Sequence, residues 1–358
     1  VLLVDDPRFD RHTPLGHHPE RPERLTAARE AVRRLEQDGT AFRRVTPRPA
    51  TDDEIARVHD PRFVESLARL DGRSGYIDPD TYVSTESIAV ARLAAGSLVA
   101  AVDALLEPPA PAAAAAGATD APSPIPVRKA VALLRPPGHH ARPAQAMGFC
   151  LLNNVAVAAA HAVARGVRRV AVVDWDVHHG NGTQEMFFED PRVLYISTHQ
   201  YPFYPGTGDV GESGQGDGRG YTVNVPLTAG GGDAVYTAAF ERVILPVLEA
   251  YAPELVLVSA GFDASAADPL AQMEVSDAAF GWMASELSRV AERSASGRMA
   301  LVLEGGYDLV ALESGLVSSM NGMLARGSSE ARTPPGGAMP LDVERAMRHA
   351  KKAWPTVG

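Results

Sequence analysis

Cysteine is nearly absent: Cys150 is the only one in 358 residues. That excludes an intramolecular disulfide and any zinc site built from cysteine clusters. It suits a reducing compartment, and a cytoplasmic protein is expected. Positive charge is also in short supply. Lys and Arg number 34 against 44 Asp and Glu, a formal net charge of −10. This argues against nucleic acid as a direct partner and suits a cationic ligand only weakly. No apolar run reads as transmembrane in length, and Val1 to Val4 is too short for a signal-peptide core. No membrane partner is expected, and a homo-oligomer is left open.

What remains is ordinary for a soluble globular chain, with 45% hydrophobic and 22% charged residues. The length suits one large α/β domain over residues 1–358, with a sizeable core. Val1 to Val4 reads as a first strand. Pro22 suits the first turn of a helix running to about Gln37 and closed by Gly39. Thr51 and Glu54 form a capping box. Asp78 to Ser84 reads as a loop, and Ser84 as the cap of an Ala-rich helix reaching about Leu106. Residues 107–126 are low in complexity and rich in Pro and Ala, and are expected to be a flexible surface insertion within the domain.

Beyond that insertion, strands and helices alternate. Val131 to Leu134, Val170 to Val173, Val193 to Ile196, Leu255 to Val258 and Ala300 to Leu303 are short apolar runs of the kind found in a parallel sheet covered on both faces. Helical stretches lie at about Asn153 to Ala164, Asp233 to Tyr251 and Ser276 to Arg293. The rhythm is that of a doubly wound α/β domain, whose ligand sites lie beyond the carboxyl ends of the strands. The polar motifs obey this rule. The five strands lead in turn to RPPGHHA, DWDVHHGNG, STHQYPFYPGTG, SAGFDA and EGGYDL.

The stretch Val170 to Gly182 organises the rest. A buried strand runs into Asp174, Asp176, His178 and His179, and unpaired charge does not survive in an apolar interior. A lone Asp-x-His reads as a helix cap beside a satisfied core histidine. Two acids, two histidines and two glycines together favour a metal ion. Alternation places Asp174, Asp176 and His178 on one side if the extended conformation continues, and Gly180 and Gly182 allow a tight turn. Asp263 is the best third ligand. One nitrogen, two carboxylates and no sulfur fit zinc with an open position, or iron or another divalent ion. Such an ion can acidify a water and polarise a carbonyl. His139 and His140 are candidates for proton transfer, with Asp174 and Asn181 as partners that orient the rings. An Asp partner holds one imidazole charged more readily than an Asn partner holds the other. Tyr307, after two glycines, is a candidate oxyanion donor. The sum is amide or ester hydrolysis.

RPPGHHA, GFCLLNN, VDWDVHHGNGTQ, SAGFDA and EGGYDL, in that order, resemble the histone deacetylase superfamily, of the class II type that includes bacterial deacetylase-like amidohydrolases. The likeness runs from HPERPER to about Leu316. It implies an arginase/deacetylase-like α/β fold with a mainly parallel eight-stranded sheet and helices on both faces. It implies zinc-dependent removal of an acyl group from an amine, typically acetyl-lysine in a protein or peptide. Asp176, His178 and Asp263 would hold zinc. His140 would be the general base and then acid, His139 its electrostatic partner, and Tyr307 the donor that polarises the carbonyl. Asp174 and Ser197 would match a monovalent cation site, usually potassium, and carbonyls around Phe187, Asp190, Val193 and Tyr221 a second. Gly148 and Phe149 would line the acyl-lysine tunnel. Tyr204 stands where many relatives carry Phe on the opposite wall. Asn181 follows the class II pattern. Leu270 stands where the polyamine-selective vertebrate relative has a gatekeeping Glu, which lowers the polyamine reading. Asp80, or else Asp78, would be the rim acid, and Arg24 would match the arginine of an acetate exit channel. The alternative within enzymes is an acetylpolyamine or other small-molecule amidohydrolase acting on a small acylated amine. Asn181 and the paired histidines speak against an arginase-type ureohydrolase. The intact ligands, histidines and Tyr307 speak against an inactive acyl-lysine reader.

Overall fold

Short runs of Val, Leu and Ala become strands because β-branched and apolar side chains suit a pleated surface enclosed on both faces. In a computed structural model that describes residues 1–108, 127–324 and 339–358, the strands are β1 (Leu2–Val4), β2 (Arg43–Arg44), β3 (Gly75–Tyr76), β4 (Tyr82–Val83), β5 (Lys129–Ala132), β6 (Val170–Asp174), β7 (Val193–Gln200), β8 (Thr222–Leu227), β9 (Leu255–Ala260) and β10 (Met299–Leu303). The helices are α1 (Glu23–Gln37), α2 (Asp52–Ile55), α3 (Pro61–Ala68), α4 (Ser87–Leu106), α5 (Asn154–Ala164), α6 (Asn181–Phe187), α7 (Asp233–Ala239), α8 (Leu245–Tyr251), α9 (Asp277–Ser294), α10 (Leu309–Met323) and α11 (Leu341–Ala350). Residues 109–126 of the expected insertion lie outside the described residues.

Eight strands form one sheet in the order β2-β1-β5-β10-β9-β6-β7-β8, and every pairing in it is parallel. This is the eight-stranded α/β fold expected. All five polar loops therefore leave the same edge, and the central neighbours β10, β9 and β6 carry Gly305, Asp263 and Asp176 just past their ends. Strands β6, β9 and β10 are buried along their whole length. β3 and β4 form a separate antiparallel ribbon.

Several local expectations need correction. Ser84 does not cap α4. That helix starts at Ser87 without a side-chain cap, and Ser84 instead bonds the Ser87 hydroxyl at 2.9 Å and the Arg11 carbonyl at 3.3 Å, tying the N-terminal loop to the helix. α4, 20 residues long, is long and apolar enough to cross a membrane by length and composition, contrary to the reading of the sequence; most of it is buried against the fold. The strand expected at Val131 to Leu134 pairs two residues earlier, and Leu133 and Leu134 stay buried on the way into the site. The helix expected over Asp233 to Tyr251 is interrupted by a wide π turn over Phe240–Ile244. Pro246 follows it, and a proline has no N–H to give to the carbonyl four residues back. β8 escaped the sequence reading because Thr222, Asn224 and Pro226 alternate with its apolar residues. It lies at the sheet edge, where a proline is tolerated. The Thr51/Glu54 capping box is present.

Candidate active site

The chain leaves β6 at Asp174 and bends through the next residues rather than continuing extended. The bend carries Asp176 and His178 toward Asp263, so that one donor atom from each lies within 4.8 Å of the others. His178 Nδ1 sits 3.2 Å from both Asp176 Oδ1 and Asp263 Oδ2. The backbone aims the carboxylates. Asp176 Oδ2 accepts the Gly305 N–H at 2.7 Å, and Asp263 Oδ1 accepts the Val177 N–H at 2.9 Å. A Cβ on Gly261 or Gly305 would fall 2.1 Å from a carboxylate oxygen of Asp176 or Asp263, so only glycine admits the cage. Phe203 stacks on the His178 ring at 5.4 Å, a contact the sequence reading missed.

The cage draws positive charge. Burial alone would lower the His178 pKa, but the two carboxylates override it and push the ring up to about 9. Burial, together with the nearby Asp176 charge, pushes Asp263 up to about 7. Against the cost of burial, His139 and His178 hold Asp176 well below the carboxylate range. Two buried carboxylates and one imidazole, closed on one centre, fit a divalent ion of the zinc or iron type.

The loop after β5 brings in the histidine pair. Glu304, buried at the end of β10, accepts the N–H groups of Gly138 at 2.7 Å and His139 at 3.2 Å on Oε2. Its Oε1 accepts the Ser259 hydroxyl at 3.2 Å, and burial pushes the acid up to about 7. The rings of His139 and His140 lie 4.0 Å apart. His139 Nδ1 faces Asp174 Oδ2 at 3.1 Å, and His140 Nδ1 faces Asn181 Oδ1 at 2.8 Å. Asp174 also accepts the Tyr195 hydroxyl and the Asp176 N–H, both at 3.2 Å. Gly180 and Gly182 are not at positive φ, so the turn does not require them for its torsions. Close approach does: a Cβ would lie 2.2 Å from Asp174 Oδ2 at Gly180, and 2.2 Å from the Ala141 carbonyl at Gly182. His179 turns away from the cage, to Thr207 Oγ1 at 2.8 Å and Gln184 Oε1 at 3.0 Å.

Tyr307 follows Gly306, whose φ is +119°. Its N–H donates to Asp268 Oδ2 at 2.6 Å, as does that of Asp308 at 3.1 Å. Burial first, and the charges of Asp263 and Asp176 after it, keep the phenol protonated despite the Arg24 guanidinium, which lies 5.0 Å over the ring. Arg24 is fully buried, giving its N–H groups to the carbonyls of Gly306 at 2.7 Å and Glu304 and to Glu20 Oε1 at 3.2 Å. Phe149 meets the Tyr307 ring edge-on at 5.9 Å. Tyr204 meets His140 at 5.2 Å and His178 at 6.1 Å. These two aromatics flank the centre. Gly148 has φ +56°, and a Cβ there would sit 2.5 Å from the His140 ring.

At the rim, Phe149 N–H donates to Thr81 Oγ1 at 3.1 Å, and that hydroxyl donates to Asp80 Oδ1 at 3.3 Å. Asp78 accepts the N–H groups of Asp80 and Thr81 and shapes the turn. Leu270 N–H donates to Asp268 Oδ1 at 3.0 Å. Ser197 pairs with Asp174 across β6 and β7, its hydroxyl 2.9 Å from His199 Nδ1. The carbonyls of Phe187, Asp190 and Tyr221 accept the N–H groups of Asp190, Val193 and Tyr195 where α6 gives way to β7.

The sequence reading missed three supports: Glu304, Asp268, and the buried pair Glu20–Arg135. Arg135 Nη2 gives hydrogen bonds to Glu20 Oε2 at 2.7 Å and the His12 carbonyl at 2.9 Å, and the Tyr82 hydroxyl donates to Glu20 Oε2 at 2.8 Å. Despite full burial, Arg135 holds Glu20 well below the usual range. The available signal was an acid or arginine adjoining a buried apolar strand, as at Leu303-Glu304 and Leu134-Arg135.

Comparison with known proteins gives a consistent result. The histone deacetylase domain matches residues 18–323. A histone deacetylase-like amidohydrolase of Pseudomonas aeruginosa is 44% identical over 72% of this chain and 64% of its own length. Polyamine deacetylase HDAC10 of Homo sapiens is 41% identical over 90% of this chain but 46% of its own length. The crystal structure of the HDA15 HD domain superposes with a TM-score of 0.86 at 36% identity, covering 99% of this chain and 95% of that one.

Proposed function

We propose, from the premise that the chain belongs to the histone deacetylase family, that it is a zinc-dependent deacylase releasing acetate and a free amine from acetyl-lysine in a protein or peptide. The observation that carries this is the juxtaposition of the Asp176–His178–Asp263 cage with two buried histidines of unlike partners and a phenol kept protonated.

Asp176, His178 and Asp263 would hold zinc, which when bound polarises a carbonyl and acidifies water. His140, with Nδ1 turned to Asn181, keeps Nε2 to take a proton from the attacking water and deliver it to the departing amine. His139 keeps its positive charge beside Asp174 and offsets negative charge gathering in the transition state. Tyr307 donates its phenol proton in a hydrogen bond to the oxyanion. Phe149 and Tyr204, against Tyr307 and His140, would enclose a linear acylated side chain, and Asp80 would be the rim acid for the substrate backbone. Arg24, whose guanidinium lies 5.0 Å over the Tyr307 ring, would line an exit path for acetate. Asp174 and Ser197, and the carbonyls around Phe187, Asp190, Val193 and Tyr221, would hold structural potassium.

A second reading, an acetylpolyamine amidohydrolase, is favoured by the likeness to the human polyamine deacetylase. Kinetics on the zinc-loaded protein with an acetyl-lysine peptide, acetylputrescine and acetylspermidine separate the two. The expected outcome is a kcat/KM at least about tenfold higher for the peptide, a difference of about 1.4 kcal/mol in transition-state binding. A preference for the polyamines moves the assignment to the second reading. His178→Ala is expected to lose both zinc and turnover; stoichiometric zinc in that variant shows that other residues hold the ion.

A further inference from the structure

Asn181 carries an oxygen and a nitrogen of nearly equal size on one flat amide, and the two can exchange places by a half turn. In this protein the oxygen faces His140 Nδ1 at 2.8 Å, and the nitrogen faces the Met147 sulfur at 3.4 Å. The choice decides which nitrogen of His140 bears the proton. With Oδ1 toward the ring, Nδ1 must donate, and Nε2 is left with its lone pair. With the amide turned over, Nδ2 donates to Nδ1, the ring proton moves to Nε2, and that nitrogen can no longer accept one.

His140 alone does not settle the matter, because each orientation makes one hydrogen bond with one tautomer. A thioether does, since it has lone pairs and no proton. It accepts from Nδ2 and can offer nothing to Oδ1. We propose that Met147 is a positioning residue that fixes the Asn181 amide, and through it the Nδ1-protonated tautomer of His140. This rests on the reading of His140 as the proton carrier.

The location supports the assignment. Met147 lies on the strand-like bridge Met147–Cys150, whose reciprocal backbone bonds at 3.1 and 3.0 Å hold it directly before Gly148. Its side chain is half-buried on the wall of a groove of about 390 Å³ that Asn181, Gln184 and Pro205 also line. Asn181 itself is buried, and it lines the same groove beside the thioether.

The test uses the full chain labelled with ¹⁵N-histidine, with the His140 nitrogens assigned by their loss in His140→Ala. The parent is expected to show a proton on Nδ1. Met147→Leu keeps the volume and removes the acceptor. It is expected to show a mixture of tautomers or a proton on Nε2, with kcat down about two- to fivefold, the scale of one weak hydrogen bond, and KM unchanged. In an Asn181→Asp background there is no amide to turn, so adding Met147→Leu is expected to leave kcat where Asn181→Asp put it. Retention of the Nδ1 proton in Met147→Leu, or the same loss of kcat in both backgrounds, overturns the proposal. If the parent hydrolyses no acylated amine, the proposed function fails, but the nitrogen spectra still decide the role of Met147.

Discussion

His139 and His140 are neighbours in the chain, equally buried, with rings 4.0 Å apart, yet they sit in opposite electrostatic states. Burial lowers the pKa of both, because desolvation disfavours the imidazolium. At His139 the carboxylates of Asp176 and Asp174 overcome that cost and push the ring up to about 10. At His140 the partner is a neutral amide, and the charges of His139 and His178 add to burial, so its pKa falls well below the usual value. A charged carboxylate against a neutral amide separates the two dyads. Burial alone therefore does not decide a histidine's charge; the second partner does. The pair can thus divide work, one ring a fixed charge and the other a mobile base.

Removing one member tests this division most severely. His140→Ala is expected to lower kcat by about 10²–10⁴ with zinc retained, the range for loss of a general acid–base group. Metal analysis beside steady-state kinetics checks it, and a loss under tenfold would move the proton work elsewhere. Tyr307→Phe, outside both dyads, is expected to cost about 10²–10³ in kcat, the range for one oxyanion donor. A turnover within threefold of the parent would refute that role. Asp174→Asn makes the two dyads alike. The His139 pKa, followed by NMR, is expected to fall from its raised value, with kcat down about tenfold as a fixed positive charge is lost at neutral pH. An unmoved His139 would show that Asp176 alone keeps it charged.

The smallest effect concerns the support beneath both rings. The folded state raises Glu304 from 4.5 to about 7 and so favours its protonated form. Its contribution to stability is fully present below about pH 4.5 and is lost as pH rises through about 7. Glu304→Gln removes that dependence. Its melting temperature is expected to gain on the parent's between those two pH values, and thermal melts at pH 4.5 and 8 check the sign.

Legibility followed chemistry carried by short motifs. Asp176, His178 and Asp263 were readable because acids and histidines at the ends of apolar strands demand compensation, and the structure brings all three to one centre. The partners Asp174 and Asn181 were readable for the same reason. Glu304 was not, although it opens the quoted motif EGGYDL, because its work is to bind backbone N–H groups of a loop 165 residues away, and a backbone donor has no residue type. Arg135 read as part of a polar turn, and only folding pairs it with Glu20, which lies 115 positions earlier. β8 was hidden because Asn224 is polar; its amide is spent on Gln184 and the Glu212 carbonyl. The site glycines were seen as turn formers, whereas their missing Cβ atoms make room for carboxylates and rings.

The sequence by itself determined the parallel α/β class, the edge of the sheet at which polar loops gather, and the donor types of a cation site. These follow from local periodicity and from the cost of burying charge. Tertiary structure alone decided which oxygen of each carboxylate faces inward, which partner faces which histidine, and which way the Asn181 amide points. Those outcomes depend on distances of a few ångströms between groups far apart in the chain. Electrostatic and hydrogen-bond energies change sign or vanish over just such distances.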